Sequence, residues 1–198
     1  MKTLKEKIVM LMLIALLIMT CFPINVFAAQ KSISGAKISG ITTKTWNGKG
    51  ITQKITVKLG SVILKNGSDY TVRYSNNKNV GRATVYIIGK GKYTGTVKKT
   101  FNIRPKGTKI LKLKRRGSWL TVTWIKQPHQ ITGYQLIKSG SRFARIGYQP
   151  KVTIRNINTV TYRIRISPVC PRYRVWIRTY RKAGGKVYCS TWSEGMDG

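Results

Sequence analysis

The chain has 198 residues, with 38 Lys and Arg against 4 Asp and Glu and one His, which gives a formal net charge of +34. Four carboxylates and one imidazole are too few for paired-carboxylate hydrolysis, histidine-based triads or carboxylate-rich metal sites, so we expect neither an enzyme nor a cofactor. Hydrophobic residues make up 41% of the sequence, which is enough for a folded core and excludes a purely disordered polycation.

The N-terminus has the three-part pattern of a secretory signal peptide. Three lysines precede an unbroken apolar run over residues 8–19, Pro23 ends it, and small residues lead to Ala28. We predict a signal peptide over residues 1–28, cleaved between Ala28 and Ala29. The alternative is a retained N-terminal anchor, although the run is shorter than the roughly 20 residues of a membrane span. No later segment is long and apolar enough to span a bilayer, so the mature form is expected to have no membrane span.

Residues 30–104 are predicted to form a β-sandwich. Apolar residues alternate with Lys, Arg or Thr, which is the pattern of strands with one buried face. The predicted strands lie at 55–59, 70–74, 83–87 and 97–103. Asn47-Gly48 and Asn66-Gly67 are typical of the tight turns between such strands.

A second β-module is predicted over residues 105–198, with the boundary at the Pro105 to Gly107 segment, where the alternation breaks. Its predicted strands lie at 118–124, 131–136, 151–154, 161–166 and 173–180. Residues 30–104 carry 15 Lys and Arg against one acid, and residues 105–198 carry 20 against two. Both modules are therefore basic, which differs from a neutral domain with a basic tail.

The two modules resemble known families. The stretch from Asp69 to Thr84, with Gly89-Lys-Gly-Lys-Tyr93 and Phe101-Asn-Ile103, resembles the Ig-like repeats of Gram-positive surface and secreted proteins. From Pro105 the chain resembles a fibronectin type III domain, on Trp124, Gly133-Tyr-Gln135, Tyr173 to Tyr180 and Ser190-Thr-Trp-Ser193. The resemblance implies an all-β fold of two tandem antiparallel β-sandwiches without activity of their own, which serve as spacers or as adhesion modules.

Two departures from the fibronectin type III pattern stand out. The family usually has a buried Leu six residues before the tyrosine that opens the sixth strand, where this chain has Ser167, unless Ile166 takes the place by a one-residue insertion. The sequence ends at Gly198, near where the family's last strand begins. We therefore expect the second module to lack most of its last strand and, because of its open edge, to be less stable than the first module. One alternative is that the chain is a truncated gene product.

An aromatic and basic strand is the main candidate site. By parity, one set of side chains faces the core: Tyr173, Val175, Ile177 and Thr179. The other set is predicted to face outward, with Trp192 returning on the paired strand: Arg174, Trp176, Arg178 and Tyr180. Two interpretations are open. The residues form either a structural ladder of stacked cations and rings, or a face that binds glycans or anionic polymers.

The remaining polar and aromatic candidates are interpreted structurally. Trp124 is expected in the core, and the Tyr173 hydroxyl is expected to bond backbone, as the sandwich resemblance implies. Asp69 is predicted to cap its own turn rather than to bind a metal. His129, in a loop with no base or nucleophile nearby, is expected to be solvated.

Two cysteines remain after signal removal. A hairpin that turns near Gly184 would put Cys189 opposite Thr179 and leave Cys170 about 30 Å away along the strand. A disulfide needs Cα atoms within about 7 Å. We therefore predict free thiols, with Cys189 buried and Cys170 exposed.

The sequence thus favours an exported, cell-wall-associated protein of spacer or adhesion type. The alternative is an accessory-domain fragment of a larger secreted hydrolase. The positive charge is interpreted either as adhesion to anionic wall polymers or glycans, or as a composition common to the lineage. The sequence contains no specific nucleic-acid motif, and it carries no signal for an oligomeric state.

Overall fold

A computed structural model describes residues 3–19, 29–140 and 150–198, with side chains up to residue 13 in the first range. Helix α1 spans Leu4–Met19, and its described apolar side chains are exposed, including Leu4 and Leu11. Within the described ranges, no helix has the length and apolar character needed to cross a membrane. The predicted cleavage site falls partly outside these ranges, since Ala28 is not described, whereas Ala29 is exposed.

The strands of residues 31–104 form three sheets. Their bounds are β1 Lys31–Ser32, β2 Lys37–Ser39, β3 Lys44–Thr45, β4 Thr56–Leu59, β5 Val62–Leu64, β6 Tyr70–Ser75, β7 Gly81–Gly89, β8 Tyr93–Thr94 and β9 Thr96–Arg104. A four-stranded sheet has the order β3-β9-β7-β6, a three-stranded sheet has the order β2-β4-β5, and β1 pairs with β8. Alternate residues of β7, which lies inside the larger sheet, are fully buried: Ala83, Val85 and Ile87.

The core of this first module is built from the apolar residues that alternate along its strands. Two clusters of buried side chains lie between the sheets, one around Val57, Val85 and Ile87 and the other around Phe101 and Ile103. Each fully buried aliphatic side chain contributes about 1.5–3 kcal/mol relative to the exposed state. Burial of one face of the longer strands therefore holds the module together while the lysines on the other face stay in water.

The strands of residues 110–197 form two sheets. Their bounds are β10 Ile110–Arg116, β11 Trp119–Trp124, β12 Gly133–Ser139, β13 Val152–Ile154, β14 Thr161–Arg165, β15 Arg174–Ala183, β16 Lys186–Cys189 and β17 Met196–Asp197. One sheet has the order β10-β11-β14, and the other has the order β13-β12-β15-β16 with β17 also on β15. All these pairings are antiparallel.

One hydrophobic cluster fills the space between these two sheets. Trp124 is 1% exposed, and its ring lies 5.3 Å from that of Tyr134. The Tyr134 hydroxyl accepts from the backbone nitrogen of Gln127 and donates to the carbonyl oxygen of Ile157, so the buried phenol is satisfied. Ile166 is 4% exposed in the same cluster, whereas Ser167 is exposed. Ile166 therefore occupies the core next to the position where the resembled family has its Leu.

The all-β, two-module fold is confirmed, with three corrections in detail. Strand β10 was not predicted from the sequence, because its lysines and arginines obscure the alternation of a half-buried strand. Two pairings are parallel rather than antiparallel: the two-residue strands β1 and β8 pair with each other, and β3 pairs with the last two residues of β9. The β15–β16 hairpin turns through Gly184-Gly185, both with positive φ, so Cys189 lies opposite Tyr180, one residue from the predicted partner.

The two modules contact each other through a loop before β12 and through Tyr188 of β16. The Gln130 side chain accepts from the backbone nitrogen of Val80 at 3.2 Å and donates to the Asn79 side chain at 3.1 Å. The ring of His129 lies 6.1 Å from that of Trp46, and Tyr188 packs against the buried cluster of the first module. These contacts, rather than a shared sheet, join the modules.

Candidate functional site

The centre of the predicted aromatic and basic face is a stack of Arg178 on Trp192. The guanidinium carbon lies 4.3 Å from the centre of the indole ring. The Arg178 Nε also donates to the Gln135 side chain at 2.8 Å, since Gln135 lies opposite Arg178 on β12. The cation is therefore fixed in position by a ring on one side and a neighbouring strand on the other.

Two serine hydroxyls hold Trp192 in place. The Ser190 and Ser193 hydroxyls accept hydrogen bonds from the backbone nitrogens of Thr179 and Ile177, both at 3.1 Å. The backbone nitrogens of the same serines donate to the carbonyl oxygens of the same two partners. The Ser-Thr-Trp-Ser segment thus follows β15 without a regular ladder. This role was not predicted from the sequence, although the spacing of the serines on either side of the tryptophan could have indicated it.

Arg174 is already neutralised within the protein. Its Nε and a terminal nitrogen donate to the two carboxylate oxygens of Asp197 at 2.8 and 3.0 Å. This is the one ion pair within the described ranges, and both side chains are more than half exposed. Such an exposed bidentate pair contributes about 0–1 kcal/mol, and it lowers the charge that Arg174 offers to a ligand.

The other two members of the face differ from expectation. Trp176 is half-buried and the backbone at Gly195 lies against it, since a Cβ added there would come within 2.7 Å of the indole nitrogen. The prediction that Tyr180 faces outward is wrong, because its side chain is 2% exposed. Thr179 is also buried, and its hydroxyl donates to the linker carbonyl of Lys106 at 2.7 Å, so both faces of β15 are covered at this end.

Of the predicted face, Arg178 and Trp192 are therefore in contact, Arg174 is paired with Asp197, and Tyr180 is buried and does not belong to the face. A groove of about 570 Å³ lies next to Trp192, between residues 107–110 and 191–197. These contacts fit a ladder that holds the last segment of the chain on the sheet. That the face binds glycans stays a prediction.

The structural interpretations of the other candidates have clear outcomes. The Asp69 carboxylate accepts from the Lys65 backbone nitrogen at 2.9 Å, which confirms the turn cap. Cys170 and Cys189 are both free, but both are half-buried, so the predicted contrast in exposure is wrong. The Cys170 thiol is covered because it points to the carbonyl oxygens of Gly140 and Arg172. Within the described ranges, no three His, Cys, Asp or Glu side chains are grouped as metal ligands.

A second stacked pair lies on the opposite sheet. The guanidinium carbon of Arg163 lies 4.7 Å from the centre of the Trp119 ring, and Trp119 is 41% exposed. This pair was not predicted from the sequence. Both residues lie in predicted strands, at 118–124 and 161–166, but their contact depends on the pairing of β11 with β14, which no local pattern specifies.

The comparisons with known proteins found little. No family model matches the chain, and no curated protein matches it. A matching solved structure is that of the FN1–FN3 domains of chicken CNTN1, which is 13% identical, with a TM-score of 0.40 over 85% of this chain and 64% of that chain. The chain thus spans less than two thirds of that fragment. The fold described above rests on the strand pairing and not on this likeness.

Proposed function

We propose that the protein is an exported, non-enzymatic module protein of the cell surface or wall, which adheres to anionic wall polymers or acidic glycans through its positive charge. The single observation that carries this proposal is the placement of the cations. In residues 30–198, every described Lys and Arg is exposed or half-buried. The described cations of this range therefore reach the surface, where they can attract a polyanion.

The first module illustrates how complete this exposure is. Fourteen of its fifteen Lys and Arg are exposed, and Arg104 is half-buried. Its one acid, Asp69, is used in a turn. Since so few carboxylates neutralise these cations, binding to a polyanion would release that polymer's counterions and weaken steeply with salt.

Export is the second part of the proposal. It is supported by the lysines that precede the apolar run and by helix α1, whose described apolar side chains are exposed. A protein exported in this way would begin at Ala29. N-terminal sequencing of the secreted form tests this, and a retained residue 1 would instead support the anchor alternative.

The adhesion proposal is tested by a salt-titrated pull-down on purified bacterial cell walls. We expect retention at low salt and release near half-molar salt, because screening shortens the range of each charge to a few ångströms. Walls stripped of their anionic polymers are the matched control and should retain much less protein. Failure to bind intact walls at low salt would contradict adhesion and leave a spacer.

A further inference from the structure

The outer face of the β10-β11-β14 sheet is a regular array of cations. The strand register aligns three rows across the sheet, with one residue from each strand: Arg116, Trp119 and Arg165; Lys114, Thr121 and Arg163; Lys112, Thr123 and Thr161. The five cations of this array and Trp119 are exposed. The alternate residues, such as Leu120, Val122 and Ile164, are buried in the core. Core packing therefore fixes the direction of every side chain in the array.

The array has a defined size. Neighbouring strands lie about 4.8 Å apart, and side chains on one face repeat about every 6.7 Å along a strand. The cations of β10 thus lie about 10 Å from those of β14, on either side of a central strip formed by β11. These three strands contain no Asp or Glu. The face is therefore a positive surface without carboxylates, and its width suits one extended polymer chain.

The central strip is suited to sugars. Trp119 lies between Arg116 and Arg165, and Arg163 stacks on its ring at 4.7 Å. Indole rings pack well against the apolar faces of sugar rings, and a guanidinium binds a carboxylate with two parallel hydrogen bonds. The hydroxyls of Thr123 and Thr161, 3.3 Å apart, add donors and acceptors between the charges.

We infer that this face, which we call the cationic sheet face, binds a linear acidic polysaccharide. The inference rests on the proposed function and assigns it to one surface. The polymer's carboxylates or sulfates pair with the outer rows of cations, and one of its sugar rings packs on Trp119. Duplex DNA fits this face less well, since its bases are stacked inside the duplex and offer no ring to Trp119.

The experiment measures the affinity of the purified protein for polygalacturonate, with inorganic polyphosphate and a short DNA duplex as comparison polymers. The test variant is K114Q/R116Q/R165Q. The matched control, K151Q/R155Q/R172Q, removes the same number of Lys and Arg from exposed positions of the same module. We expect the test variant to bind polygalacturonate about tenfold more weakly. The affinity of the control variant should change by less than about threefold, because salt screens distant charges more than it screens direct contacts.

A second variant tests the sugar contact. W119A should weaken binding to polygalacturonate about threefold to tenfold and leave binding to polyphosphate unchanged, since only the polysaccharide offers a ring that can stack on the indole. Circular dichroism spectra that match the wild type would show that each variant is folded. Should the triple variant fail to fold, W119A tests the face alone.

The outcomes separate this inference from the proposed function. Equal losses in the test and control variants would overturn the assignment to the cationic sheet face and leave charge-driven adhesion standing. If the protein bound the DNA duplex more tightly than polygalacturonate, and W119A left the binding of DNA unchanged, the ligand would not be a polysaccharide. Absence of binding to every polymer at low salt would overturn the proposed function itself.

Discussion

The Tyr173 hydroxyl accepts a hydrogen bond from the backbone nitrogen of Ser167 at 2.8 Å and donates one to the Ser167 carbonyl oxygen at 3.4 Å. The ring is 6% exposed in the core, so the hydroxyl reaches from the core to the chain that enters β15. This contact fixes the path of the segment between β14 and β15, which includes Pro168 and Pro171.

Y173F should lower the free energy of unfolding by about 1–2 kcal/mol, because the substitution removes both hydrogen bonds and leaves the ring in place. Urea unfolding followed by fluorescence measures the change. The matched control is Y162F, at an exposed tyrosine of the same module, and it should leave the unfolding midpoint unchanged. An equal effect of both variants would contradict a specific role for the Tyr173 hydroxyl.

Gln130 joins the modules at a local conformational cost. Its φ is +58°, a region that side-chain-bearing residues seldom adopt, and its amide forms hydrogen bonds to Val80 and Asn79. Q130A keeps the backbone conformation but removes both hydrogen bonds. We expect each module to keep its stability within about 0.5 kcal/mol while the modules move more independently, because two hydrogen bonds are a large share of a small interface.

Nuclear magnetic relaxation measures this effect, since two independent modules tumble faster than one rigid body. The control is Q127A, at a neighbouring glutamine whose backbone nitrogen, and not its side chain, donates to Tyr134. Unchanged tumbling in Q130A would show that other contacts, such as that of His129 with Trp46, are enough to hold the modules together.

The stack of Arg178 on Trp192 should be worth about 0.5–2 kcal/mol. R178A removes the stack and the hydrogen bond to Gln135, whereas W192A removes the stack and the packing of a half-buried indole, so both variants should lower the free energy of unfolding. K182A, which removes an exposed cation from the same strand, serves as the control and should have little effect. If a double-mutant cycle of Arg178 and Trp192 gave no coupling energy, the ladder interpretation would be wrong.

We predict that the first module becomes less stable at alkaline pH because of Tyr70. Burial raises the pKa of Tyr70 above its usual value of 10.0, and the neighbouring Tyr74 raises it further. The folded state thus keeps the proton that the unfolded chain loses above pH 10, so this stability is fully present below pH 10 and is lost as the pH rises through the folded pKa. Urea unfolding between pH 9 and 11 should show a steeper loss for the wild type than for Y70F, and parallel curves would contradict the shift.

The alternation of apolar and polar residues along the strands made much of this fold predictable from the sequence. The core side of β15, the Trp124 position and the Asp69 turn cap follow from local patterns that each residue's neighbours reinforce. Tyr180 was misplaced because strand parity assumes one open face, whereas the end of β15 is covered on both sides. The Arg174–Asp197 pair was equally hidden, because it depends on how residues far apart in sequence are brought together.

The cationic sheet face was missed for a different reason. The segment Ile110-Leu-Lys-Leu-Lys-Arg-Arg116 holds an alternating pattern that a bulge near Lys112 interrupts, so its period of two is blurred. Without β10 as a strand, its cations could not be aligned with those of β14. The array depends on cross-strand register, which no local pattern specifies.

Because Arg174–Asp197 is the one ion pair in the described part of the chain, the folded protein is a body of like charges that repel each other. Compaction brings these charges closer than they are in the unfolded chain, which lowers the stability of the isolated protein in dilute buffer. Under the proposed function, a bound polyanion would relieve that repulsion and so raise the stability of the folded protein. Attachment and folding would then reinforce each other.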